Sequence, residues 1–232
     1  SIGGNHFMHV LRRNMDINIL MFNNRIYGLT KGQYSPTSEQ GKKTKASPYG
    51  SIDYPLNPPS LALGAQATFV ARTIDRWQKH MAAMLERSYN HDGGSFIEIY
   101  QNCNIFNDGA FEEYTGAEKF SNVIELKHGE PMVFAQGTKG IKLDGFKPKV
   151  VDMEKNSIDD ILIHNETDLD LAHIIANWTS HPTLPEPIGV IYCIDKTTYN
   201  QDIVNQIESA IEAKGPGNVQ DLLNSGDTWV VD

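Results

Sequence analysis

Cysteine is nearly absent: Cys103 and Cys193 are the only two in 232 residues. Two cysteines cannot build a disulfide framework, which excludes the scaffold of small secreted domains and makes the cytoplasm the expected compartment. Long apolar runs are lacking too. No stretch approaches the ~20 residues that cross a bilayer, and the mean hydropathy is −0.39, so no membrane partner is expected. The opening residues do not carry the pattern of a secretory signal. An excess of basic charge is also missing. Lys and Arg number 20 against 29 Asp and Glu, a net charge of −9. A general nucleic-acid binder needs a basic face to neutralise phosphates, so no nucleic-acid partner is expected. The ordinary meaning of this acidity is solubility. There is no internal repeat, no low-complexity run and no initiator Met; Ser1-Ile2-Gly3-Gly4 leads straight into a helical pattern, which reads as a cut inside a structural unit.

Hydrophobic residues make up 40% of the chain, enough for a sizeable core in one large domain or one domain with an appendage. Residues 5–14 have a helical pattern with Phe7, Val10 and Leu11 on one face. INILMF (17–22) is a continuous apolar run that suits a parallel strand buried on both faces. The segment 23–58 is rich in Gly, Ser, Lys, Thr and Pro; a loop of that length inside a compact domain is usually functional or disordered. A short helix follows at 59–66 with Pro59 near its first turn, then a strand at 67–74. A helix at 75–90 sets Trp77, Met81, Met84, Leu85 and Tyr89 at core spacing and ends at Gly93-Gly94. A strand at 95–103 has Cys103 at its end.

This alternation predicts an α/β fold with a mostly parallel sheet flanked by helices. Residues 1–115 form the expected core and 116–232 a smaller α+β extension. In the extension, the short apolar pieces of 121–151 (VIEL, MVFA, GIKL, KVV) read as antiparallel strands or hairpins. Residues 167–178 read as an amphipathic helix capped by Thr167, 188–195 as a strand with Cys193 in the core, and 200–213 as a helix. The remainder, 215–232, reads as an extension that packs on this or a partner chain.

Ligands of open α/β sheets gather beyond the carboxyl ends of the strands. Asn23, Asn24 and Cys103 fall at such ends. Asn amides offer neutral oxygens that suit a hard cation such as Mg²⁺, which takes one or two protein oxygens beside phosphate and water. A strand that ends in Asn-Asn and turns can present one amide oxygen and, two residues later, a backbone carbonyl. The plain alternative is that the pair only closes a turn.

Longer stretches carry a resemblance. Asn23-Asn24 looks like the NN half of the thiamine diphosphate motif, whose GDG half lies upstream in its bearers. More specifically, SIGGNH, LMFNNRIYGLTKGQYSPTS, NPPSLALGAQATFVAR and SFIEIYQNCNIFNDGAF resemble the β subunit of 2-oxoacid:ferredoxin oxidoreductases, particularly the 2-oxoglutarate type. The similarity is close over about residues 1–115 and loose beyond. It implies a CoA-dependent oxidative decarboxylation of a 2-oxoacid to an acyl-CoA and CO₂, with electrons passing to ferredoxin.

The implied cofactors are thiamine diphosphate, Mg²⁺ and a [4Fe–4S] cluster, and the implied partner is an α subunit. Position by position, Gly3 and Gly4 would let the backbone approach the diphosphate at the start of the first helix, with Asn5 and His6 close by. Asn24 would bind Mg²⁺ through its side chain and Ile26 through its carbonyl. Tyr27, Gly28, Leu29, Thr30 and Lys31 would form the loop beside the thiazolium and the substrate. Leu29 stands where relatives acting on pyruvate tend to have Asn, which favours 2-oxoglutarate. Lys31 would attract a substrate carboxylate, or simply be solvated.

Cys103 would be the late cluster ligand; without the resemblance a half-buried structural thiol is the ordinary reading. The GDG half and the other three cluster cysteines do not occur in the 232 residues. One thiolate cannot hold a cluster, and the α subunit would complete the cofactor site, so no general base is assigned here. Two other readings stand beside this one: a thiamine diphosphate-dependent decarboxylase that does not use ferredoxin, and a non-catalytic fragment or assembly module.

Overall fold

In the computed structural model, residues 3–179, 181–229 and 231 are described. The first helix, α1 (Gly4–Arg12), buries Leu11 and sets Phe7 edge-on to Phe96 at 5.1 Å between ring centroids. It leads into β1 (Ile17–Asn23). The loop to residue 57 carries no helix or strand and ends at α2 (Pro58–Gly64), where Asn57 accepts a hydrogen bond from the Ser60 N–H and proline fills the first turn. Then come β2 (Phe69–Ile74), α3 (Gln78–Tyr89) and β3 (Gly94–Tyr100), followed by the short helices α4 (Glu112–Thr115) and α5 (Lys119–Asn122). The second half holds β4 (Val123–Leu126), β5 (Val133–Phe134), β6 (Lys139–Asp144), β7 (Lys147–Asp152), α6 (Leu169–Asn177), β8 (Glu186–Cys193), α7 (Tyr199–Lys214) and α8 (Val219–Leu223).

Five strands form one sheet in the order β1-β3-β2-β8-β4. β1 with β3, β3 with β2, and β4 with β8 are parallel; β2 with β8 is antiparallel. The mostly parallel α/β architecture expected from the alternation of elements is present. The strands β2 and β3 are buried throughout, as covered parallel strands are. Strands β4 and β8 come from the second half of the chain yet complete the sheet begun by the first. A separate antiparallel sheet, β5-β6-β7, packs Met132, Phe134 and Ile141 into the core shared with α2 and α6.

Several expectations need correction. β1 is an edge strand, with Leu20 41% and Phe22 57% exposed, because only β3 pairs with it among the described residues. A continuous apolar run does not distinguish a central strand from an edge one. β3 ends at Tyr100, so Cys103 lies in the following loop. Tyr89 is 81% exposed and only Met84 of the apolar stripe on α3 is fully buried. VIEL is not a hairpin strand but the parallel neighbour of β8. The cap of α6 is Asp168, whose carboxylate accepts from the Leu171 N–H, while Thr167 bonds to Asn165 instead. Cys193 is half-buried at the end of β8, and burial pushes its thiol pKa up. The region 215–232 contains the exposed α8; Val230 and Asp232 lie outside the described residues, as do Ser1 and Ile2 at the other end.

His164 ties the second half to β8. It is 1% exposed, and its Nε2 donates to the Val190 carbonyl at 2.8 Å. The carbonyl can only accept, so Nδ1 is unprotonated, and it has no partner among the described residues. Burial holds the pKa below the ordinary 6.5; His128 and Arg87 reinforce this, while Glu166 and the Val190 carbonyl oppose it. A depressed histidine pKa means that the unfolded chain binds more protons than the folded one as pH falls. Its stabilising contribution is therefore complete above about pH 6.5 and is lost toward the lower folded pKa. His80 and His91, also depressed by burial, act with the same sign. Melting temperatures should change little between about pH 6.5 and 8 and fall below that window. His164→Asn should make the acid decline shallower, and an unchanged decline would place its origin elsewhere.

Candidate cofactor and metal site at the carboxyl end of the sheet

The parallel pairing of β1 and β3 sets Asn23 beside Tyr100 where both strands end. Asn23 is 5% exposed and fully engaged. Its Nδ2 donates to Glu98 at 2.8 Å, and its Oδ1 accepts from Thr37 at 2.7 Å and from the Arg25 N–H at 3.1 Å. Asn23 therefore closes the turn; both asparagines line the cavity at this end of the sheet, but the side-chain oxygen of Asn23 is already taken twice. Among the described residues Asn24 Oδ1 accepts a single bond, from the Ile26 N–H at 3.2 Å, which leaves a lone pair available. Ile26 is buried, and its carbonyl accepts no hydrogen bond among the described residues.

Beyond it the chain doubles back. Gly32 N–H reaches the Tyr27 carbonyl at 3.1 Å and Tyr27 N–H the Gln33 carbonyl at 2.8 Å. Gly32 needs its missing side chain twice over: φ is +92°, and a Cβ would sit 3.1 Å from the Phe106 ring. Leu29, at the tip, is 100% exposed, and Lys31 is exposed with a left-handed φ of 61°.

A cavity of about 660 Å³ opens between this loop and the start of α1. Gly3, Gly4, Asn24, Ile26, Tyr27 and Gly28 all line it, and Leu29 reaches its rim. Asn5, His6, Thr30 and Lys31 do not; Asn5 and His6 lie on the exposed first turn of α1, and the Thr30 hydroxyl bonds back to Tyr27. Gly3 has φ 98° and provides no side-chain cap, and among the described residues nothing beyond the chain neighbours and the helix's own backbone lies within 4 Å of where a Cβ would stand on Gly3 or Gly4. The first-turn N–H groups of a nine-residue helix therefore meet the cavity bare, an arrangement suited to an anion. A diphosphate fits that end. At the other end, two neutral oxygens two residues apart fit Mg²⁺ as a partial ligand set, to be completed by phosphate, water and a further group.

The cluster does not fit this chain alone. Cys103 is half-buried in the loop after β3. Cys193 pairs with Phe69 at the opposite end of the sheet, so the two thiols cannot share a ligand set. Among the described residues no group of three or more His, Cys, Asp or Glu could hold a metal. A [4Fe–4S] centre needs four ligands, of which this chain supplies at most one.

Two features escaped sequence reasoning. One is a buried ion network under the site: Arg72 Nε donates to Glu98 at 2.8 Å and Nη1 to Glu186 at 2.7 Å, all three within 2% of full burial. Tyr100 and Tyr114 hydroxyls complete Glu186, and burial pushes both phenol pKa values up. The signal was available as charges inside otherwise apolar strands, FVARTI and SFIEIY. The other is Asn107, which reaches the main chain of Asn24 from the Cys103 loop. A second cavity of about 260 Å³, lined by Asn23, Arg25, Glu98, Tyr100 and Thr179, lies above this network. Arg25 stacks its guanidinium 4.2 Å from the Phe111 ring centroid there.

The family described as "Thiamine pyrophosphate enzyme, C-terminal TPP binding domain" matches residues 1–99. The 2-oxoglutarate oxidoreductase subunit KorB of Mycobacterium tuberculosis is 44% identical over 237 aligned positions, spanning 100% of this chain and 64% of that one. Subunit beta of 2-oxoacid:ferredoxin oxidoreductase 1 from Aeropyrum pernix is 42% identical over 107 positions, 46% of this chain and 34% of its own length. The chain is homologous to these β subunits. Among solved structures, a 2-oxoglutarate:ferredoxin oxidoreductase from Magnetococcus marinus, with 2-oxoglutarate, coenzyme A and succinyl-CoA bound, superposes with a TM-score of 0.71 over 98% of this chain and 64% of that one. At 24% identity that likeness speaks for the fold. The chain thus spans less than two-thirds of the length of these relatives, 64% of the mycobacterial subunit and 34% of the archaeal one. The archaeal match covers 107 positions, and the mycobacterial one extends over the whole chain.

Proposed function

We propose that this chain is the thiamine diphosphate-binding part of the β subunit of a 2-oxoglutarate:ferredoxin oxidoreductase. The reaction is the CoA-dependent oxidative decarboxylation of 2-oxoglutarate to succinyl-CoA and CO₂, with ferredoxin as electron acceptor and an α subunit as partner, in the cytoplasm. The observation that carries this reading is the 660 Å³ cavity at the sheet's carboxyl end, with a bare helix start on one side and two available neutral oxygens on the other. No helix among the described residues is long and apolar enough to cross a membrane.

When bound, thiamine diphosphate supplies a nucleophilic carbon and an electron sink for decarboxylation. The protein's part is binding and placement. Gly3 and Gly4 bring main-chain N–H groups to the diphosphate, with Asn5 and His6 on the turn that leads there. The Asn24 side chain and the Ile26 carbonyl hold Mg²⁺, and Tyr27 and Gly28 wall the cofactor. Leu20, Phe22 and Phe7 give the cavity an apolar side. Leu29, Thr30 and Lys31 project from the loop tip, where Leu29 bounds the space for the oxoacid and the Lys31 ammonium attracts its distal carboxylate. Cys103 is one ligand of a [4Fe–4S] cluster whose other ligands come from outside these residues. Residues 1–115 form the cofactor core and 116–232 the extension, which lends β4 and β8 to the common sheet.

Anaerobic reduction of a viologen by the assembled full-length enzyme tests the reading. The rate should depend on 2-oxoglutarate, CoA, thiamine diphosphate and Mg²⁺; a rate independent of thiamine diphosphate would refute it. Leu29→Asn should move the ratio of kcat/KM for pyruvate over 2-oxoglutarate upward by about tenfold. Because Leu29 is fully exposed, folding stability should change by less than about 0.5 kcal/mol. An unchanged ratio would remove Leu29 from specificity.

A further inference from the structure

The loop 24–26 presents three main-chain carbonyls in succession, and the structure disposes of two. The Asn24 carbonyl accepts from Asn107 Nδ2 at 2.9 Å. The Arg25 carbonyl accepts from the Ser38 hydroxyl at 2.5 Å. Both donors are built in. Asn107 is 8% exposed; its own N–H is held by the Cys103 carbonyl at 2.9 Å and its Oδ1 by Lys42 Nζ at 2.5 Å. Ser38 is 3% exposed; its N–H is held by the Ser35 carbonyl at 3.0 Å, and its Oγ accepts from the Ser35 N–H at 2.9 Å. Arg25, between the two captured carbonyls, has a left-handed φ of 54°, which costs a non-glycine residue of order 1 kcal/mol. That conformation persists where surrounding contacts fix it. Among the described residues only the Ile26 carbonyl is left over, on the wall of the cavity.

We infer that Asn107 and Ser38 are positioning residues that set the register of the metal loop: by occupying the carbonyls of Asn24 and Arg25 they leave the Asn24 amide and the Ile26 carbonyl as its two cation ligands. The inference rests on the proposed metal assignment and goes beyond it. Neither residue touches the metal. Each acts through backbone placement, as hydrogen-bonding partners behind a ligand set do. Asn107 lies on the Cys103 loop, so its side chain ties the loop after β3 to the loop after β1 at both the Asn24 carbonyl and Lys42.

The test uses the full-length assembled enzyme, stripped of divalent metal and reloaded with thiamine diphosphate, with Mn²⁺ as probe. Asn107→Leu removes the donor while keeping the heavy-atom branching, Ser38→Ala removes only a hydroxyl, and Lys42→Met removes the outer hold on Asn107. Asn107→Leu and Ser38→Ala should each weaken Mn²⁺ binding about tenfold or more. Bound Mn²⁺ should also show higher water-proton relaxivity, because a lost protein oxygen is replaced by water, a signature that a general loss of stability does not produce. Lys42→Met should stay within about twofold of wild type, since the Asn107–Asn24 bond remains. Wild-type affinity and relaxivity in both Asn107→Leu and Ser38→Ala would overturn the inference while leaving the metal site standing. A Lys42→Met defect as large as that of Asn107→Leu would also overturn it, by moving the effect to Lys42. Failure of the wild-type enzyme to bind Mn²⁺ with thiamine diphosphate would overturn the metal assignment and this inference together.

Discussion

Arg72→Leu should lower folding stability by about 3–5 kcal/mol, the cost of removing one partner from a buried charge pair. Arg72 has no exposed surface and bridges two carboxylates that are themselves buried. All four carboxylate oxygens have donors: Glu98 from Asn23 and Arg72, Glu186 from Arg72, Tyr100 and Tyr114. Without the guanidinium, hydrogen bonds remain but two negative charges stay in a medium that cannot solvate them. The network as a whole need not stabilise the fold relative to an apolar replacement, since desolvation offsets the attraction. The triple variant Arg72→Leu, Glu98→Gln, Glu186→Gln should therefore recover much of the loss. Thermal and urea denaturation measure both; equal losses in the single and triple variants would show that packing, not charge, sets the effect. The single variant should also weaken thiamine diphosphate binding, because Glu98 holds Asn23 and Asn23 holds the Arg25 N–H at the start of the metal loop.

Asn24→Ala is expected to act on the site with little effect on the fold. Hydrogen-bonding partners behind metal ligands typically account for 10–100-fold in affinity, and a direct ligand should account for no less. Mg²⁺ activation of the assembled enzyme should accordingly shift to at least ~10-fold higher concentration. Among the described residues the hydrogen bond lost with the side chain is the local one from the Ile26 N–H, so stability should fall by no more than about 1 kcal/mol. Asn24→Asp keeps an oxygen in place and should retain metal binding. An unshifted Mg²⁺ requirement in Asn24→Ala, with normal thiamine diphosphate affinity, would take Asn24 out of the ligand set.

Much of this protein was legible in its sequence because the relevant signals are local. The alternation of helical and apolar segments is written residue by residue, and it determined the mostly parallel α/β sheet. The pair Asn23-Asn24 at a strand end, followed by the Gly28–Gly32 turn, pointed to the turn that lines the 660 Å³ cavity, because a turn at a strand's carboxyl end needs only its own residues to form. Gly3 and Gly4 showed from their identity alone where backbone could approach a ligand.

What only the tertiary structure decided involves partners far apart in the chain. The edge position of β1, the joining of β4 and β8 to the sheet, and the exposure of Tyr89 depend on which elements become neighbours, and apolar periodicity carries no information on that. The same holds inside the site. Asn23 and Asn24 are identical in type, yet one is consumed by Glu98 and Thr37 and the other is left available, and Asn107 reaches Asn24 across 83 positions. A hydrogen bond forms wherever a donor and an acceptor are brought within about 3 Å in water's absence. That proximity is a property of the folded chain, so the residues that aim the site's oxygens emerge only once the sheet has assembled.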